Sequence, residues 1–227
     1  MTGYGAEEYL TSKRFLSQKF PSEYLNYLEY VPENISDKLP LIVYVHGSGS
    51  RGNDTSKMAR IGPLQASRLG DLSNSVIVAP QCHKNTWFDL FHVLSEFIEY
   101  HIKRDIVDAQ RVYIIGVSMG AYATWQMCMS HPDWFAAAVP VCGGGMYWNA
   151  ERLKSIPIWA FHGALDTVVL PSESKHMVDA VNKHGGNARL TIFENDRHNS
   201  WDNAFATDEM WNWLFKQKSN QTYNSQL

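Results

Sequence analysis

The residues of this chain with the most chemical potential are a serine, an aspartate and a histidine, met in that order. Gly116-Val117-Ser118-Met119-Gly120 sets the serine between glycines two residues away on either side. A serine hydroxyl is almost wholly protonated at neutral pH. To act as a nucleophile it needs a base, and the base needs an acid that orients and charge-stabilises it. Asp166 follows the run "IPIWAFHGAL" and His198 follows "LTIFENDR", so each comes just after an apolar, strand-like segment. Serine, acid, histidine is the chain order expected where the nucleophile sits in a sharp strand-to-helix turn. The glycines meet a steric need, because side chains at those positions would collide with the strand or the next helix. The alternative is a serine that merely tolerates a tight turn. Its context argues against that: "VYII" before it reads as buried strand and "AYATWQMCM" after it as helix.

The remaining histidines fit the role less well. His176 and His184 fall on or at the end of a helix spanning residues 172–184, His162 precedes a glycine at a strand terminus, and His131 precedes Pro132. Each reads as a surface or core residue. Glu194 and Asp196 are acids near His198, but on its own loop, from which its far ring nitrogen is hard to reach.

Acyl transfer also needs donors for the oxyanion of a tetrahedral intermediate. One is expected from the backbone N–H of Met119, directly after the serine. The other is expected from the loop "VHGSGSRGND", where the N–H of Ser48 is in place. Gly47, Gly49 and Gly52 in that loop also spell a dinucleotide fingerprint. The fingerprint requires a helix opening at once and an acidic residue ending the second strand. Here Gly62-Pro63 breaks the following segment and the next strand ends "VAPQC". Gly143-Gly144-Gly145 lacks the lysine and hydroxyl residue of a phosphate cradle. No cofactor is expected. The three cysteines, Cys82, Cys128 and Cys142, lack zinc-site spacing and read as reduced, buried thiols of a cytoplasmic protein, so no metal is expected either.

Elements must now place these groups. Continuous apolar, β-branched runs lie at residues 39–47, 75–81, 111–118, 135–143, 156–163 and 188–195, the pattern of strands buried on both faces. Residues 23–32 alternate apolar and polar, as an edge strand or hairpin does. Between the runs lie helical faces: Leu90, Val93, Leu94, Phe97, Ile98 and Ile102; Met177, Val178 and Val181, ended by Gly185-Gly186; and Met210, Trp211 and Leu214. The expected fold class is α/β, a mostly parallel central sheet with helices on both faces, as a single domain over residues 1–227 with a polar tail from Lys218. Ligand sites of such sheets lie at the carboxyl ends of the strands.

Composition agrees, with 44% hydrophobic and 19% charged residues. Net charge is −3 without long runs of one sign, which argues against nucleic acid or an anionic membrane as partner. No apolar stretch is long enough to span a bilayer, and the opening "MTGYGAEEYLTSKRF" lacks the form of a secretory signal. The oligomeric state is not readable.

Taken together, "LPLIVYVHGSGSRGND", "VAPQC", "RVYIIGVSMGAYATW", "FAAAVPVCGG", "IPIWAFHGALDTVV" and "RHNSW" resemble the α/β-hydrolases. The nearest branch is the compact carboxylesterase and phospholipase-like group, often labelled predicted peptidases, beside dienelactone-hydrolase-like and feruloyl-esterase-like enzymes. The resemblance runs from about residue 23 to 216. It implies Ser118, Asp166 and His198 as a catalytic triad, with Ser48 and Met119 lining the oxyanion hole. Two departures stand out: Ala121 replaces a second glycine, and serine stands where dienelactone hydrolases use cysteine. About a dozen residues, 144–156, occupy the place where a large lid is usually inserted, so a small lid or none is expected.

Trp87, Trp148 and Trp201 fall near strand ends. Each is a candidate for stacking on an aromatic acyl group or sugar; for Trp87 and Trp148 covering the sheet edge and bracing loops is an equal alternative, and Trp201 is expected to brace the His198 loop. The expected activity is hydrolysis of small, aryl-linked or carbohydrate-linked carboxylic esters. The alternatives are a serine peptidase acting on short peptides and a non-catalytic ligand receptor built on the same fold.

Overall fold

Alternation within the apolar runs decides the layers. In the computed structural model, which describes residues 10–59, 61–66 and 71–220, Leu41, Val43 and Val45 face one core while Ile42 and Tyr44 face another. The same split recurs at Val76 and Val78 against Ile77 and Ala79, and at Val112 and Ile114 against Tyr113 and Ile115. A strand with period two can be apolar throughout only if both sheet faces are covered.

Eight strands build that sheet: β1 (Leu10–Leu16), β2 (Tyr24–Tyr30), β3 (Leu39–Val45), β4 (Val76–Gln81), β5 (Val107–Val117), β6 (Ala137–Val141), β7 (Ile158–Gly163) and β8 (Ala188–Phe193). Their spatial order is β1-β2-β4-β3-β5-β6-β7-β8. Strands β3 to β8 are mutually parallel, while β1 and β2 join antiparallel at one side. The helices are α1 (Pro63–Ala66), α2 (Phe91–Ile102), α3 (Met119–Ser130), α4 (Pro171–Lys183), α5 (Trp201–Phe205) and α6 (Asp208–Lys216). Residues of α2, α3 and α4 share one core; Leu64 of α1, Ala204 of α5 and three residues of α6 share the other.

Two expectations are refined. The strand at residues 23–32 is not the sheet edge but the second arm of an antiparallel hairpin, the other form its alternation allowed, because β1 pairs with it from Leu10↔Tyr30 to Leu16↔Tyr24. β1 carries no readable alternation: of "LTSKRFL" only Phe15 is buried, as suits a polar edge that discourages further pairing. Strand β5 begins at Val107, before the apolar run, and its pairing with β3 shifts register between Leu39 and Leu41. Residues 221–227 of the polar tail and residues 1–9 of the opening segment lie outside the described residues. Among the described residues no helix is long and apolar enough to cross a membrane.

Candidate active site

Ser118 stands between the last residue of β5 and the first of α3, with φ 53° and ψ −117°. A non-glycine residue pays a steric cost in that region, and surrounding contacts must hold it there. They do so through backbone: the Ser118 amide donates to Val141 O at 2.9 Å, and the Ser118 carbonyl accepts from Ala121 N at 2.8 Å. A Cβ on Gly116 would lie 2.2 Å from Gly120 O, and one on Gly120 would lie 1.9 Å from Val45 O. Both glycines of the motif are therefore required by close backbone approach. The methyl of Ala121 faces Gly143, where a Cβ would come within 2.5 Å of it, so the departure at residue 121 is met by a glycine across the turn.

Asp166 and His198 reach this serine from the ends of β7 and β8. His198 Nε2 lies 2.9 Å from Ser118 Oγ, and His198 Nδ1 lies 2.7 Å from Asp166 Oδ2. The other carboxylate oxygen accepts from the amides of Val168 at 2.9 Å and Val169 at 3.0 Å. Burial by itself would raise the Asp166 carboxyl. Hydrogen bonds from His198 and from the Val169 and Val168 amides outweigh that and hold it below the usual carboxylate range. An ionised Asp166 keeps the proton of a neutral His198 on Nδ1 and leaves the Nε2 lone pair facing the serine hydroxyl. The approach of the two loops depends on Gly163, whose Cβ would lie 2.3 Å from Arg197 O.

Ser48 opens a 3-10 turn, Ser48–Ser50, directly after β3, and among the described residues no acceptor takes its amide or that of Met119. Side chains that the sequence reading passed over fix this loop. His46, 1% exposed, accepts from Cys82 N at 3.0 Å through Nε2, so its proton is on Nδ1, 2.6 Å from Gly47 O. Burial pushes its pKa down to about 4. Gln81, fully buried at the end of β4, donates to Ser50 O and Asp54 O, both at 2.8 Å. Only their position at strand ends signalled either residue.

Trp87 belongs to this support and not to substrate binding. It is fully buried, its indole N–H donates to His46 O at 2.9 Å, and no face is left for a ligand. Trp148 is 71% exposed but lies against Tyr147 on the 3-10 turn Tyr147–Leu153, outside the cleft. Trp201 meets His198 edge-on at 5.5 Å and lines the cleft, so it braces and lines at once. The cleft measures about 690 Å³; Ser118, His198 and Ser48 stand in its wall with Tyr44, Lys57 and Phe205. The β6–β7 connection adds only the Tyr147–Leu153 turn, with no inserted lid domain.

Cys142, Asp166 and His198 each offer a ligand-type atom within 4.8 Å of the others. The donor set fits a cation poorly. Burial pushes the Cys142 thiol up to about 12, so it provides no thiolate, and Asp166 and His198 are engaged with each other.

The comparisons with known proteins bear on the family and the fold. Residues 81–210 match the family model described as phospholipase/carboxylesterase. The chain belongs to the phospholipase/carboxylesterase family of α/β-hydrolases. A solved thermostable esterase is 32% identical and superimposes with a TM-score of 0.85, over 93% of this chain and 64% of that one. Poly(3-hydroxyalkanoate) depolymerase C of Paucimonas lemoignei is 26% identical over 136 residues, 53% of this chain and 31% of that protein. A bifunctional acetylxylan esterase/xylanase of Neocallimastix patriciarum is 26% identical over 147 residues, 62% of this chain and 21% of that protein. The chain thus spans about a third and a fifth of the curated relatives it matches, and under two thirds of the esterase structure.

Proposed function

We propose that the protein is a serine carboxylesterase that works through an acyl-enzyme. The carrying observation is the unbroken chain Ser118 Oγ, His198, Asp166, at 2.9 and 2.7 Å, on a serine held at positive φ. His198 takes the Ser118 proton as the oxygen attacks the ester carbonyl, and then gives it to the departing alcohol. A water, activated by the same imidazole, cleaves the acyl-serine. Asp166 stabilises the imidazolium, and the amides of Ser48 and Met119 receive the oxyanion.

Small or carbohydrate-linked and aryl-linked esters are the proposed substrates. A cleft bearing Lys57, Gln65 and Ser50 beside Trp201 and Phe205 supports that reading, as do relatives named for esterase activity. Placement in the cytoplasm, with a small molecule and not nucleic acid or membrane as partner, is supported by the net charge and by three buried, unpaired cysteines. Finding the native protein bound to a membrane fraction would remove that part of the reading.

Ser118→Ala keeps the fold by circular dichroism and lowers p-nitrophenyl acetate turnover by roughly 10⁴-fold or more. Retained turnover removes Ser118 from the mechanism. Matched ester and amide substrates then separate an esterase from a peptidase.

A further inference from the structure

His162, in the last turn of β7, is fully buried and has no part in the chemistry described above. Its ring lies between two loops that build the site. Nε2 is 2.9 Å from Val169 O and 3.2 Å from Asp166 Oδ2. Nδ1 is 2.7 Å from Ser174 Oγ in the first turns of α4, and that hydroxyl is 2.8 Å from Gly143 O.

Counting donors and acceptors fixes the proton. A carbonyl and a carboxylate both accept only, so Nε2 must carry the hydrogen. A neutral ring then presents a lone pair at Nδ1, which takes the Ser174 hydroxyl; Gly143 O is the alternative acceptor for the same proton. Val169 is thereby held from both sides, its amide by Asp166 Oδ1 and its carbonyl by His162. The turn over residues 166–169 is closed around the acid, with the His162 ring 3.2 Å from Oδ2.

We propose that His162 is a positioning residue for Asp166: its Nε2–H holds the Val169 carbonyl and so closes the acid-bearing turn, keeping Oδ2 aimed at His198. The inference rests on the triad reading for its catalytic consequence. It touches neither substrate nor the reacting atoms. The ionisable groups bearing on it are Asp166, His198 beyond it, the Cys142 thiol of β6 near that pair, and Glu173 of α4 beside Gly144.

Two amide substitutions separate the clamp from simple packing. His162→Gln extends its N–H group to about the place of Nε2, whereas His162→Asn stops near Nδ1, keeping the Ser174 side and leaving the Val169 carbonyl without a donor. For His162→Asn, kcat for p-nitrophenyl acetate falls about 10- to 100-fold with KM within about 3-fold. The ionisation of His198 is followed without substrate, through the downfield proton resonance of its Nδ1–H. In His162→Asn it moves down by about 0.5–1 unit, because a carboxylate no longer held towards Nδ1 stabilises the imidazolium less. His162→Gln returns both readouts towards the parent protein. If the two variants behave alike, both silent or both equally damaged, or if the His198 ionisation stays put in His162→Asn, the clamp is refuted. A parent protein that neither turns over esters nor reacts with a fluorophosphonate would instead overturn the esterase reading, and the resonance would still decide the role of His162.

Discussion

The turn carrying Ser118 and the loop carrying Ser48 stand side by side and are held by opposite means. In the serine turn, backbone meets backbone: added carbons on Gly116 and Gly120 would come within 2.2 and 1.9 Å of main-chain oxygens. In the Ser48 loop an added carbon on Gly49 meets nothing within 4 Å, and the loop is fixed by hydrogen bonds from Gln81 and Trp87 and by His46. The nucleophile is therefore placed by excluded volume and the proposed oxyanion donor by a polar network. Volume has no soft failure, whereas a network can be weakened one bond at a time.

Substitutions can break that contrast. Gly120→Ala has the largest expected effect, because Val45 O belongs to a central strand and cannot retreat. Urea unfolding should show a loss upwards of about 3 kcal/mol, or no soluble protein at all. Gln81→Leu comes next, leaving two carbonyls without their donor. It should cost about 1–3 kcal/mol in the same assay and lower kcat more than it raises KM, since the donor loop matters most when charge develops.

The third prediction concerns acid. Burial holds His46 neutral with its pKa pushed down to about 4, and His101, on the buried face of α2, down to about 3. Groups whose folded pKa lies below the unfolded value contribute stability that is complete above about pH 6.5. That stability is lost as pH falls towards the folded value, because the unfolded chain takes up protons first. Between pH 7 and pH 5 the urea midpoint should fall by an amount equivalent to on the order of 1–2 kcal/mol per histidine. Unchanged midpoints would mean that these histidines are not held neutral. Gly49→Ala should do least: stability within about 0.5 kcal/mol and activity within about 3-fold. A large effect there would show that the Ser48 loop is also volume-limited.

The same contrast explains what the sequence made legible. Excluded volume leaves a local record: glycines at fixed offsets from Ser118, and apolar runs in β3 to β8 that are covered on both faces. Chain order after those strands brought Asp166 and His198 into view. A polar network leaves no such record. His46, Gln81 and His162 act through partners such as Cys82, Asp54 and Val169 that only the tertiary fold brings near. Trp87 stayed open between stacking and bracing for that reason: its place after a strand was visible, but not that its indole turns inward to His46 O. β1 was missed because a charged edge strand lacks the alternation that betrays a half-buried one.

The central claim is that Ser118 is an activated nucleophile, and covalent trapping tests it most directly. A fluorophosphonate added to the parent protein at neutral pH should form a single adduct by intact mass. Peptide mapping should place it on Ser118, and His198→Ala should slow its formation by several orders of magnitude. An unmodified protein, or an adduct on another residue with Ser118 left free, would contradict the account.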